Sequence, residues 1–245
     1  MLTVKDVSKS YPHDGMFRKQ KHRVLHEISF EWNRGECLGI IGESGSGKST
    51  LGRLLLGMEK PDSGKIAFDG IPVANRVARR GAISAVFQDY TSSINPYYTV
   101  RKAILEPLKH TGKAGESFDI GRLLRQVGLN ESYLAKYPHE LSGGEAQRVC
   151  IARAVCSEPQ CILFDEAVSS LDGSVQMQVL AMLKRLKADY DMGYIFITHD
   201  IQAAVYLCDR ILIIRNGEMA ELCETAELKH VRSPYARELM RKVIS

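Results

Sequence analysis

An apolar run, Cys37-Leu38-Gly39-Ile40-Ile41, feeds directly into Gly42-Glu43-Ser44-Gly45-Ser46-Gly47-Lys48-Ser49-Thr50, and a helical pattern over 51–58 starts where that stretch ends. The spacing is Gly-x-x-x-x-Gly-Lys-Ser/Thr, placed between an expected strand and an expected helix. A glycine-rich turn lets consecutive backbone N–H groups converge on an anion. The helix that follows adds the positive end of its dipole. Lys48 then reaches the β- and γ-phosphates of a nucleotide, the Ser49 hydroxyl ligates Mg²⁺, and Thr50 supports the α-phosphate.

The rest of the chain alternates between strand and helix patterns. Leu2-Thr3-Val4, Val24-Leu25 and Ile28-Ser29-Phe30 read as strands, with the polar stretch 13–21 as a hairpin loop between them. Pro61-Asp62-Ser63-Gly64 stops the helix that begins after the glycine-rich loop. From about 96 to 158 the period is helical, with loops at 111–115 and at Tyr137-Pro138. Strands return at 161–164, 194–198 and 210–214, and Asn216-Gly217 marks a hairpin after the last. Strands alternating with helices predict a parallel α/β sheet. The helical block predicts an inserted subdomain.

Two further segments carry chemistry. Cys161-Ile162-Leu163-Phe164 places Asp165 and Glu166 at the tip of a buried strand. Mg²⁺ takes oxygen ligands and keeps water, which suits Asp165 in its inner or outer shell. Glu166 is then placed to polarise an attacking water. In Leu141-Ser142-Gly143-Gly144-Glu145-Ala146-Gln147-Arg148, Ser142 and Glu145 form a capping box, which by itself accounts for a helix start. Two glycines exceed what capping requires. They also leave the first N–H groups of the helix open to a second anion.

Composition narrows the class. The 245 residues are 44% hydrophobic and 25% charged, which excludes disordered and collagenous chains. No apolar run has the length of a bilayer span, and Met1-Leu2-Thr3-Val4-Lys5-Asp6 lacks the pattern of a secretory leader. Six cysteines without a Cys-x-x-Cys read as reduced, buried thiols. The net charge of +4 is mild, and the basic cluster Arg18, Lys19, Lys21, His22, Arg23 is diluted by acids elsewhere, which argues against a nucleic-acid partner.

Together these segments resemble the nucleotide-binding subunit of an ABC transporter. The stretch from Leu141 to Arg148 is similar to the family signature, with Glu145 where Gln is common. Gln88, in Val86-Phe87-Gln88-Asp89, resembles the Q-loop glutamine that contacts Mg²⁺ and the lytic water. Ser169-Ser170-Leu171-Asp172 is similar to the D-loop, His199 to the switch histidine, and Tyr11 to the aromatic that stacks on adenine. The resemblance implies an α/β P-loop NTPase core of RecA-like type, with an antiparallel β subdomain and an inserted helical subdomain. It implies one ATPase domain over 1–245: core and β subdomain at 1–89 and 159–222, helical signature subdomain at 90–158, and a tail at 223–245. ATP is the implied substrate, with Mg²⁺ held by Ser49, Gln88 and Asp165. Glu166, His199, Gln88 and Lys48 are the implied catalytic group. Ser142, Gly143, Gly144 and Glu145 would grip ATP bound to a second ATPase subunit, self or paralogue, in a head-to-tail pair, with Ser170 and Asp172 at the D-loop. Two membrane permease subunits and, indirectly, an extracytoplasmic solute-binding protein complete the implied assembly at the cytoplasmic face of the membrane. Tyr97 and Tyr98 are candidates for the permease-docking groove.

Phe87-Gln88-Asp89, Ser93-Ile94-Asn95-Pro96, Thr99-Val100 and Ser233-Pro234-Tyr235-Ala236-Arg237-Glu238-Leu239 resemble the peptide and nickel importer branch. Asp165-Glu166-Ala167-Val168-Ser169 and the histidines His13, His22 and His26 tilt the resemblance toward nickel. A di- or oligopeptide importer of the same branch is the alternative, and a soluble ABC ATPase acting on nucleic acid is a more distant one. His22 and His26 are not read as a metal pair, because a spacing of four does not bring side chains together outside a helix.

Overall fold

The computed structural model describes residues 1–15, 18–78, 80–111, 118–169 and 171–244. The chain divides into two compact units, Met1–Arg79 with Ile195–Ser245, and Arg80–Tyr194.

The first unit opens with β1 (Leu2–Gly15) and β2 (Arg18–Trp32), paired antiparallel, followed by β3 (Cys37–Ile41), α1 (Lys48–Leu55), β4 (Ser63–Phe68) and β5 (Ile71–Pro72). One sheet has the order β2-β1-β4-β5. Alternation sets its faces: Leu2 and Val4 on β1, Ile28, Phe30 and Trp32 on β2, and Ile66 and Phe68 on β4 all point into the core. Trp32 is fully buried, stacks on Phe68 at 6.0 Å and donates its indole N–H to the Glu36 carbonyl at 3.0 Å. The hairpin loop expected over 13–21 is instead largely strand. Pairing continues through Tyr11↔His22 and His13↔Gln20 to Gly15↔Arg18. Backbone pairing needs no apolar side chains, so the polar composition concealed it. Helix α1 begins at Lys48 and stops at Leu55, earlier than the sequence pattern suggested, because Gly57 turns the chain at φ 60°.

The second unit contains β6 (Ile83–Phe87), α2 (Tyr90–Ser93), α3 (Val100–Thr111), α4 (Ile120–Gln126), two 3-10 turns (Glu131–Ala135 and Pro138–Glu140), α5 (Gly143–Val155), β7 (Cys161–Asp165) and α6 (Gly173–Asp189). Strands β6 and β7 pair in parallel, Ile83↔Cys161 through Phe87↔Asp165. The expected helical block fills the stretch between them. Helix α5 buries Ala146, Val149, Cys150 and Ala154 at three- and four-residue spacing. Phe164 meets Tyr194 edge-on at 5.1 Å, and the Tyr194 hydroxyl donates to the Leu183 carbonyl.

Strand β8 (Gly193–Thr198) leads back into the first unit, followed by α7 (Ile201–Leu207), β9 (Arg210–Arg215), β10 (Glu218–Glu224), a 3-10 turn (Thr225–His230) and α8 (Pro234–Ile244). There β10, β9, β3 and β8 are neighbours in that order, with β3 and β9 parallel and β9 and β10 antiparallel. The expected Asn216-Gly217 hairpin is present, with φ 48° and 79° at the two positions and Arg215 opposite Glu218. Five of the six cysteines are buried, and among the described residues none forms a disulfide.

Candidate functional site: a nucleotide cradle and a capped helix

In the first unit, β3 is buried along its whole length and delivers the chain into the glycine-rich loop. Gly42 lies so close to β9 that a Cβ there would stand 2.2 Å from the Ile214 carbonyl oxygen and 2.9 Å from Ser46 Oγ. Gly45 has φ +78° and open space around its missing Cβ. The loop is therefore backed by the sheet at one glycine and open at the other. Lys48 is 4% exposed, and its ammonium donates to the carbonyls of Gly42 and Glu43, both at 2.8 Å. Ser46 Oγ is buried and has no hydrogen-bond partner. A buried orphan hydroxyl is uncommon in a folded protein. Here it lies between the glycines of a helix N-terminus, where a phosphate oxygen would satisfy it. The residues present thus fit a polyphosphate.

Thr50 and Tyr11 share a network that the sequence did not reveal. Arg53 on α1 donates to Thr50 Oγ1 at 3.2 Å, to Tyr11 Oη at 3.3 Å and to Glu59 Oε1 at 2.6 Å. Tyr11 donates to Glu59 Oε2 at 2.5 Å, and the Lys9 ammonium stands 5.5 Å from the Tyr11 ring centre. Burial works against the Glu59 charge, but the hydrogen bonds from Tyr11 and Arg53 outweigh it and hold the carboxyl below its ordinary range. Tyr11 and the first turns of α1 are thereby tied together. His199 follows β8 directly and is exposed, and Asp200 caps α7 by accepting the Ala203 N–H at 3.1 Å. His22 and His26 both lie on β2, and among the described residues no cluster of three or more potential ligands could hold a metal ion.

In the second unit the parallel register brings three predicted residues to one end of a strand pair. Phe87 faces Asp165, so Gln88 and Glu166 leave adjacent strands at the same edge. Glu166 adopts φ 50°, the left-handed region that a non-glycine residue enters at a cost of about 1–2 kcal/mol. Its carbonyl accepts Ser169 Oγ at 2.8 Å and the Ser169 N–H at 3.3 Å, which holds the turn. Asp172 caps α6 by position, and Ser170 lies outside the described residues.

Ser142 is the N-cap of α5. Its N–H donates to Glu145 Oε2 at 2.7 Å, and its Oγ accepts the Glu145 N–H at 3.4 Å. Tyr133 donates its hydroxyl to the other Glu145 oxygen. That bond, with those from Ser142, lowers the Glu145 carboxyl to about 2. Glu at this position, where the family signature commonly has Gln, thus keeps a carboxylate at the positive end of a helix. The two signature glycines differ. A Cβ at Gly143 would stand 2.4 Å from the Tyr90 hydroxyl, so this glycine makes room for a neighbour within the unit. A Cβ at Gly144 would meet only Val175, at 3.9 Å. The missing side chain at Gly143 is thus also required by Tyr90, whereas Gly144 has open space beside it.

Gln147 is a further functional candidate. It is 1% exposed, and its amide donates to the carbonyl of Ala167, directly after Glu166. Its position inside the signature was the available signal, since a buried amide demands a partner. Arg153 on the same helix donates to the Ser93 carbonyl at 2.7 Å and to Glu106, so α5 also holds the segment downstream of Gln88. A groove of about 670 Å³ is lined by Pro96, Tyr97, Ala135, Tyr137, His139 and Glu140, with Tyr97 85% exposed. Tyr98 is not part of it, and the Lys102 ammonium covers its ring at 3.9 Å.

Comparison with known proteins gives the family. The family described as ABC transporter matches residues 25–169. The "Metal-staphylopine import system ATP-binding protein CntF" of Staphylococcus aureus is 48% identical over 100% of both chains. The "Nickel import ATP-binding protein NikE" of Rhodospirillum rubrum is 40% identical over 100% of this chain and 91% of its own. Among solved structures, the dimeric post-hydrolysis state of the ATP-binding cassette MJ0796 bound to ADP and Pi superposes with a TM-score of 0.79 at 28% identity, covering 92% of this chain and 99% of that one.

Proposed function

Because this chain belongs to the ABC transporter family, we propose that it is the ATP-hydrolysing subunit of an importer for nickel or a related metal chelate. The observation that carries the metal reading is full-length similarity to two metal-import ATP-binding proteins, at 48% and 40% identity. The loop at 42–50, with its buried orphan Ser46 hydroxyl and the Lys48 ammonium, supports ATP binding.

The chemistry follows from the residue types. Backbone N–H groups of the loop and the Lys48 ammonium hold the β- and γ-phosphates, and Tyr11 meets the adenine. Ser49, Gln88 and Asp165 would supply oxygen ligands to Mg²⁺, which when bound neutralises charge on the phosphates. Glu166 accepts a proton from the attacking water as the water oxygen bonds to the γ-phosphorus, and the bond from that phosphorus to the β-bridging oxygen breaks, releasing ADP. His199 holds the γ-phosphate. Ser142, Gly143, Gly144 and Glu145 cover ATP bound to a second ATPase subunit, with Ser170 and Asp172 at the same junction. Loss of the γ-phosphate removes the bridging contacts and the pair opens. The proposed division is an α/β core with β subdomain over 1–89 and 159–222, a helical signature subdomain over 90–158 and a tail over 223–245. The Tyr97 groove is offered to one of two permease subunits at the cytoplasmic face of the membrane, with a solute-binding protein on the other side.

The test is uptake by vesicles carrying the complete transporter. ATP-dependent entry of labelled nickel or a labelled metal–staphylopine complex is expected, and Glu166→Gln should lower turnover about 10²-fold or more while leaving ATP binding intact. Entry of a labelled dipeptide without metal would overturn the metal reading, and near-parental hydrolysis by Glu166→Gln would overturn the role of that carboxylate.

A further inference from the structure

The C-terminal helix reaches the nucleotide loop. Tyr235, the second residue of α8, is 5% exposed, and its hydroxyl accepts the Glu43 N–H at 3.3 Å. That N–H belongs to the Gly42–Glu43 peptide, whose carbonyl accepts the Lys48 ammonium at 2.8 Å. One peptide unit is therefore held at both ends, by α8 on one side and by the phosphate-binding lysine on the other. The ring of Tyr235 is held in turn. The Arg215 guanidinium, at the end of β9, lies 4.6 Å from its centre. Glu221 on β10 fixes the start of α8, accepting the N–H groups of Ser233 at 2.8 Å and Arg232 at 3.2 Å. The hairpin between β9 and β10 adds a second contact to the loop, from the Gly217 N–H to the Ser46 carbonyl at 3.0 Å.

We propose that Tyr235 is a positioning residue for nucleotide binding: its hydroxyl fixes the Gly42–Glu43 peptide, and through that peptide the Lys48 ammonium. The inference rests on the reading of residues 42–50 as the ATP site. Rotation of this peptide would turn the Gly42 carbonyl away from Lys48 and let the ammonium leave the rim of the loop. The tail of the chain, which carries none of the reacting groups, then helps to set ATP affinity.

The experiment measures binding of a fluorescent ATP analogue to the full chain in the presence of Mg²⁺. Parental binding comes first, and its absence would remove the nucleotide reading together with this inference. Tyr235→Phe keeps the ring and the Arg215 contact but loses the acceptor. It is expected to weaken binding about fivefold, the effect of one net hydrogen bond. The melting temperature of the nucleotide-free protein is expected to fall by no more than about 2–4 °C, and hydrogen exchange at the Glu43 amide to quicken. Met240→Ala, which trims the same helix at a residue 8% exposed, is expected to leave binding at the parental level. Parental affinity in Tyr235→Phe would overturn the proposal. So would an equal loss of affinity in Met240→Ala, because α8 would then act by packing alone.

Discussion

Two alanine substitutions in the nucleotide loop separate folding from binding. At Gly42 a new Cβ would stand 2.2 Å from the Ile214 carbonyl oxygen, whereas ordinary contact begins at 3.4 Å, so the two strands must part by about 1 Å. The obstacle is backbone rather than a mobile side chain, which puts the cost near the upper end of the overpacking range, about 3 kcal/mol. For a chain of this size that is a fall of roughly 6–12 °C in melting temperature. Gly45 has nothing within 4 Å of its missing Cβ, so alanine there meets only the strain of φ +78°. That strain costs about 1–2 kcal/mol, or roughly 2–8 °C. The new methyl at Gly45 lies where the loop opens, however, and displaces one charge-assisted hydrogen bond to phosphate, a loss of about 10–100-fold in ATP affinity. Differential scanning fluorimetry and equilibrium nucleotide binding on both variants read these effects. A Gly42→Ala protein that melts with the parent would refute the close approach to β9. A Gly45→Ala protein that binds ATP as the parent does would refute the cradle.

The same interactions give further outcomes. The Glu145 carboxyl, lowered to about 2, contributes stability above its ordinary value near 4.5 and loses it as the pH falls toward 2. Glu145→Gln should flatten the pH dependence of melting over that window, and an unchanged profile would contradict the role of the Tyr133 and Ser142 bonds. Gln147→Leu leaves the Ala167 carbonyl without its donor. It should lower ATP turnover by loosening the turn after Glu166 while the melting temperature falls by only a few degrees, and parental turnover would count against that tie.

The strand, loop and helix around Gly42 to Thr50 were legible because local chemistry fixes them: an apolar run, glycines and a lysine in sequence. The capping box at Ser142 and the hairpin at Asn216-Gly217 were legible for the same reason. The long β1–β2 ribbon was not, since its outer part pairs through backbone alone and leaves no apolar alternation to read. Strands β4 and β6 were not legible, because Ser63-Gly64-Lys65 opens the one and Ser84 and Ala85 interrupt the apolar run of the other. At the candidate site, the hydrogen bonds of Tyr235 and Arg53 were invisible because their partners are 192 and 42 residues away in sequence, at Glu43 and Tyr11. The packing of Tyr90 against Gly143 was not legible either, because 53 residues of sequence separate the two and no local pattern announces the contact.

ATP bound at residues 42–50 is proposed to be closed by the Ser142 helix start of a second ATPase subunit. Sedimentation of the Glu166→Gln protein with Mg-ATP, alone and mixed with the companion ATPase of its transporter, tests it most directly. A two-subunit species is expected that forms only with ATP and that Ser142→Arg abolishes. A protein that binds ATP yet sediments as a single chain in both mixtures would contradict it.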